Sequence, residues 1–226
     1  MSEIKRVVSV GAHSLDAEIL GGPIMLKYAE QGAHCTYIHV TQGRLEDPNA
    51  TEEAKSEYLK DLLNQNKRAA QKLNGDTIWL GYVSNNMPSL EEFSLRMEQY
   101  FVDEKVDLVI THWRGSMHPR HINTHDAVTA AVKRLREKGS SIRLVYGENF
   151  EDLVGFIPQA YFKLDQNEIE RWFTGLREYS VFRGEINDFP YNEYYSTIGK
   201  VRQIESNNSG FTIAYMYASL IENELW

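Results

Sequence analysis

The chain has 226 residues, 42% of them hydrophobic and 25% charged, with 32 acidic against 24 basic side chains and a net charge of -8. That length suits one α/β domain with a sizeable core. The composition excludes disordered, collagen-like and coiled-coil architectures, and the acidic balance gives no electrostatic reason to bind nucleic acid or an anionic membrane. Cys35 is the only cysteine, so no intrachain disulfide can form, and the first apolar run, broken by Gly11 and His13, is too short for a secretion signal or a membrane span. A cytoplasmic protein is expected.

Short β-branched runs alternate with longer helical patterns, which predicts a three-layer, Rossmann-like α/β fold with a mostly parallel sheet, as a single domain over residues 1–226. Val7 to Ala12 reads as a buried first strand. Residues 16–31 carry Ile19, Leu20, Met25 and Tyr28 at near-helical spacing and stop at Gly32. His34 to Thr41 is a second strand, feeding a loop from Gln42 to Asn49 that is expected at an active-site edge. A helix over 51–73 opens on Thr51-Glu52-Glu53, a hydroxyl cap with carboxylates that suit the positive helix end. Thr77 to Tyr82 is a third strand, and a helix from about Ser89 to Asp103 follows the Asn85-Asn86-Met87-Pro88 turn. Val106 to His112 is nearly uniformly apolar and therefore central. A helix over roughly His121 to Lys138, strands at Ile142 to Tyr146 and Ala160 to Leu164, and C-terminal helices complete the pattern. Tyr191, Tyr194, Tyr195, Tyr215 and Tyr217 are expected to pack those helices onto the sheet or to form the contact of a homo-oligomer.

In open α/β sheets ligands bind beyond the carboxyl ends of the strands. Two such segments hold five of the seven histidines: Ala12-His13-Ser14-Leu15-Asp16-Ala17-Glu18 after the first strand, and His112 to Asp126 after the central one. His13 and Asp16, three apart, can point at one spot, while His118 and His121, or His121 and His125, share a helical face that Pro119 helps to start. Imidazole, carboxylate and imidazole make a three-ligand set with one open position, the pattern of catalytic zinc. Gly11 has no Gly-x-Gly-x-x-Gly around it, which counts against a dinucleotide site.

At these residues the sequence resembles the PIG-L/LmbE-like family of zinc-dependent N-deacetylases, which act on N-acetylglucosamine-type sugars and related amides. Ala12-His13-Ser14-Leu15-Asp16-Ala17 stands where that family has Ala-His-Pro-Asp-Asp-Glu, and His118-Pro119-Arg120-His121 where it has His-Pro-Asp-His. The resemblance continues in Leu20-Gly21-Gly22, in Val40-Thr41-Gln42-Gly43 and around Glu178-Tyr179-Ser180, whereas Leu62-Leu63-Asn64-Gln65 lacks the family's Arg-x-x-Glu. It implies zinc on His13, Asp16 and His121, and a catalytic His118 that stabilises the tetrahedral oxyanion. The family's general base falls on Leu15, which cannot accept a proton, and the carboxylate beside His118 is replaced by Arg120.

Two functions follow from that departure. One is a zinc-dependent hydrolase, an N-deacetylase or amidohydrolase on small N-acylated sugars or glycoconjugates, with His118, Glu18, Glu148 or Asp126 moving the proton in place of the missing base. The other is a zinc-containing pseudoenzyme that binds a sugar-like ligand or a protein partner. Arg44 and Arg120 are candidates to hold a substrate anion, Trp113 with Tyr146 to stack on a sugar ring, and Glu148 to contact substrate. His112 and His125 suit hydrogen-bonding support, and His34 and His39 read as strand residues without chemistry.

Overall fold

The computed structural model describes residues 4–43, 45 and 47–218. In chain order the elements are β1 (Arg6–Gly11), α1 (Asp16–Glu30), β2 (His34–Thr41), α2 (Glu52–Lys72), β3 (Asp76–Tyr82), α3 (Leu90–Asp103), β4 (Leu108–His112), α4 (Pro119–Glu137), β5 (Arg143–Gly147), β6 (Ala160–Lys163), α5 (Gln166–Leu176), α6 (Tyr191–Glu205) and β7 (Thr212–Tyr217). The seven strands form one sheet in the order β3-β2-β1-β4-β5-β7-β6. The first five run parallel, and β7 lies antiparallel to both β5 and β6. The expected α/β architecture is present. β7 is an addition, since Thr212 to Tyr217 falls where only helices were expected.

Helix starts follow local chemistry. Thr51 Oγ1 accepts from Ala54 N–H at 3.2 Å to cap α2, and Ser89 with Glu92 and Asp165 with Glu168 form reciprocal capping boxes on α3 and α5. α4 begins two residues earlier than expected because Pro119 occupies its first turn and His118 caps it. Alternate residues of the sheet feed two cores. Val7, Tyr37 and Ile110 pack with Leu20, Leu73 and Trp172 on the face of α1 and α5, while Val8, Val10 and Val109 pack with Phe93, Met97 and Val128 on the face of α3 and α4.

Four of the five C-terminal tyrosines, Tyr191, Tyr194, Tyr195 and Tyr215, belong to or pack against the first of these cores. Tyr191, Tyr195 and Tyr215 are buried, and Tyr191 and Tyr194 meet Phe150, and Tyr191 meets Phe189, edge to face. Tyr215 donates its hydroxyl to Leu20 O at 3.1 Å, which locks β7 to α1. These rings pack the C-terminal helices onto the sheet, the first of the two roles expected of them, while Tyr217 is exposed at the end of β7. Among the described residues no helix is long and apolar enough to cross a membrane.

Candidate metal centre

The strand order reverses between β1 and β4, which are direct neighbours. A crevice at such a switch point is where open α/β sheets bind ligands. Neighbouring strand ends also bring His13 and Asp16 together with His112 and His121, although about a hundred residues separate the two segments.

The turn after β1 is very tight. A Cβ on Gly11 would stand 2.3 Å from Ala17 N, so only glycine lets α1 begin so close to the strand. Leu15 caps α1 with φ at 86°, a left-handed conformation that costs a residue with a Cβ about 1–2 kcal/mol. This strained turn folds Asp16 back against the strand end. Asp16 Oδ2 accepts from His13 N–H at 2.8 Å and lies 3.1 Å from His13 Nδ1, and Asp16 Oδ1 accepts from Asn149 Nδ2 at 3.3 Å.

His121, on the first turn of α4, is fully buried and places Nε2 3.4 Å from Asp16 Oδ2. Its Nδ1 lies 2.8 Å from Asp152 Oδ1, a bond that fixes Nδ1 as the donor and leaves the lone pair of the neutral ring on Nε2. That Nε2 is buried without a hydrogen-bond partner. A lone pair facing a carboxylate oxygen in the interior is stable only with a cation between them, a proton or a metal ion. Burial works against the charged ring, yet Asp16 and Asp152 outweigh it and lift the His121 pKa to about 10. Burial likewise opposes ionisation of Asp152, but His112 and His121 hold its pKa down at about 2. The donor set and the orphaned nitrogen therefore fit a divalent ion.

Two overlapping groups have their donor atoms within 4.8 Å of one another, His13 with His118 and His121, and Asp16 with His112 and His121. His112 is the weaker donor of the two sets. Its Nε2 accepts from Ala12 N–H at 2.9 Å and its Nδ1 lies 2.7 Å from Asp152 Oδ2, so both nitrogens are engaged in holding Asp152 and the strand end. His118 caps α4 by accepting from Arg120 N–H at Nδ1, 3.3 Å away. Burial, with the charges of His13 and His121, lowers its pKa to about 4. At neutral pH its ring is uncharged and its proton sits on Nε2, a hydrogen-bond donor of the kind that polarises a carbonyl.

Of the substitute bases named from sequence, His118 stands at this spot and the three carboxylates are paired elsewhere. Leu15 itself is 3% exposed and packed into the core. Glu18 is fully buried, 3.3 Å from His39 Nε2, which gives His39 a partner that strand position alone did not reveal. Glu148 is clamped by Arg202, whose Nε donates at 2.9 Å with Nη2 on the other oxygen, so its assignment to substrate contact is corrected. Asp126 is held between Arg114 at 2.8 Å and His125 at 2.9 Å.

Glu151, which the sequence did not single out, has Oε2 3.6 Å from His121 Nε2. Burial raises its pKa, and Asp16 adds to the shift. Glu151 and Asp152 both follow β5. Applying the strand-end rule to that strand, as to β1 and β4, would have flagged the acidic stretch Glu148 to Asp152.

The centre opens into a cleft of about 820 Å³ whose walls include His13, Gln42, His118, Arg120, Glu151 and Asn187. The Gln42 to Asn49 loop contributes to it as expected, through Gln42, Gly43, Leu45 and Asp47. Trp113 does not face it. Its indole N–H donates to Val154 O at 2.9 Å and its ring packs against Tyr146 and His125, which corrects the stacking role given to Trp113 and Tyr146. Arg44 lies outside the described residues.

Comparison with solved structures places the fold among known ones. GalB, the 4-carboxy-2-hydroxymuconate hydratase from Pseudomonas putida KT2440, superposes with a TM-score of 0.80 at 13% identity, covering 99% of this chain and 100% of that one. The N,N'-diacetylchitobiose deacetylase from Pyrococcus horikoshii has a TM-score of 0.71 at 16% identity, over 95% of this chain and 84% of that one. The A40926 pseudoaglycone deacetylase Dbv21 has a TM-score of 0.70 at 15% identity, over 96% of this chain and 100% of that one. Comparison with curated protein sequences finds no match. Residues 8–132, which contain both histidine segments, match the family model PIG-L, GlcNAc-PI de-N-acetylase, and the chain belongs to that family.

Proposed function

We propose that the protein is a divalent-metal-dependent hydrolase, with zinc the natural ion for His13, Asp16 and His121, and that it removes an acyl group from a small N-acylated amino sugar or glycoconjugate. The observation that carries this reading is the buried, unpartnered Nε2 of His121 beside Asp16, directly behind the cleft-lining His13, His118 and Glu151. An ion held there supplies Lewis acidity, which makes water more acidic and a carbonyl more electrophilic.

The chain's own residues would supply the rest. Asp152 fixes the His121 ring so that Nε2 faces the centre, and His112 fixes Asp152. Glu151 Oε2 takes the water proton in place of the carboxylate missing at Leu15, and its raised pKa suits a base that must later release that proton to the leaving amine. His118 Nε2–H donates to the oxygen that becomes negative in the tetrahedral step. His13, at the cleft wall with its ring edge-on to His118 at 4.6 Å, closes the donor set from the solvent side.

The apolar side chain at Leu15 favours a second reading, in which the same centre adds water to a carbon–carbon double bond, the reaction named for the similar Pseudomonas putida hydratase. A zinc-containing pseudoenzyme is the third.

Metal analysis and an acetate-release assay separate them. Purified protein is expected to carry about one zinc per chain and to release acetate from one member of a panel of N-acetylated amino sugars, with Glu151→Gln inactive but still metal-loaded. A wild type that only hydrates unsaturated acids supports the second reading. Acetate release found only in Leu15→Asp supports the pseudoenzyme. Protein that stays metal-free in zinc-replete medium overturns the site.

A further inference from the structure

Arg120 stands in the wall of the cleft, half-buried, beside the capping His118. Other arginines nearby are neutralised. Arg114, on the same segment, pairs with Asp126 at 2.8 Å, and Arg183 holds Glu185 at the rim through Nε at 2.6 Å and Nη2 at 2.8 Å. Arg120 has no such partner among the described residues. Its guanidinium meets only the Asn123 side-chain oxygen, which accepts from Nη1 at 3.0 Å when the amide is oriented toward it. That bond aims the head group and leaves most of its donors unused.

A partly desolvated cation without a counter-ion is unfavourable in the free protein and becomes favourable when a bound anion supplies the missing charge. The anion is also limited in charge. Glu151 and Asp47 line the same cleft and would repel a phosphate dianion, whereas one planar guanidinium fork matches one carboxylate.

We propose that Arg120 is a carboxylate-binding residue and that the substrate carries a carboxylate close to the bond that reacts. The inference rests on reading the cleft as the substrate site. It narrows the substrate class from neutral N-acylated sugars to acidic ones, such as a uronic acid, a lactyl-ether sugar or an N-acyl amino acid. An unsaturated acid satisfies it equally.

Calorimetric titration of the purified full chain, with zinc added, tests it with succinate and succinamate, which differ only in that one carboxylate becomes an amide. Succinate is expected to bind about tenfold tighter or better, the size of one charge-assisted hydrogen-bonded pair. Arg120→Gln is expected to bind both equally, Arg120→Lys to recover part of the preference, and Arg114→Gln to keep all of it. Arg120→Met replaces the Gln variant should that fail to fold. Equal affinities in the wild type, a preference that survives loss of the guanidinium, or inorganic phosphate binding tighter than succinate would each overturn the inference. Acetate release plays no part in this readout. A protein that hydrolyses no amide yet loses its succinate preference with Arg120 keeps the carboxylate site and discards only the hydrolase reading.

Discussion

Two fully buried histidines each face a carboxylate near the same strand ends, His39 against Glu18 and His121 against Asp152. The pairs use the same groups and differ in what lies on the other side of the ring. His39 turns Nε2 toward Glu18 and Nδ1 toward the His13 carbonyl oxygen, 3.4 Å away, so both nitrogens face protein. His121 turns Nδ1 toward Asp152 and leaves Nε2 facing Asp16 and Glu151, of which Glu151 lines the cleft. Both Nε2 atoms are buried without a hydrogen-bond partner. The His39 pair is closed because its Nε2 faces only Glu18 in the interior. The His121 pair is open because its Nε2 faces a second and a third group, Asp16 and the cleft-lining Glu151.

The contrast can be broken experimentally. The largest effect is expected at the open pair, where His121→Ala should take the zinc content from about one per chain to near none by elemental analysis while the chain stays folded. Glu151→Gln should keep the metal and slow turnover by roughly 10²–10⁴-fold, the usual contribution of a positioned base, as read from kcat. At the closed pair, Glu18→Ala leaves a buried histidine unpartnered and should cost about 3–5 kcal/mol in urea denaturation, with the zinc affinity of the folded protein unchanged. Loss of zinc from that variant without loss of stability would show that the two pairs are not distinct. Asp152→Asn keeps the shape but weakens the hold on His121, and should lower zinc affinity about 10–100-fold in a chelator competition. Arg114→Gln breaks an exposed ion pair and should leave both the urea midpoint and zinc affinity unchanged.

Much of the fold was legible because its signals are local. Alternating β-branched and helical runs marked β1 to β5, and the uniformly apolar stretch before His112 marked a central strand. β7 was not legible. Thr212 to Tyr217 is a six-residue run with its first five residues buried, and so short a segment carries no periodicity that separates strand from buried helix. The tyrosines of α6 and β7 were left between core packing and an oligomer contact because aromatic side chains suit interfaces and cores equally. Only the packing of Tyr191 on Phe150, of Tyr195 on Trp172 and of Tyr215 on Leu20 shows that these three serve the core.

The candidate metal centre divides along the same line. The sequence by itself determined which candidate donors, His13, Asp16 and His121, follow the strands β1 and β4, and the absence of a proton acceptor at Leu15, because those follow from residue chemistry and short spacing. The tertiary structure decided which other groups attend them. Glu18 is two residues from Asp16 yet lies buried on His39, while Glu151 and Asp152 are more than a hundred residues away and meet His121 directly. The physical reason is the sheet order: placing β4 between β1 and β5 brings the loop after β5 over the switch point, a proximity set by strand pairing across the whole chain and by no local pattern within it.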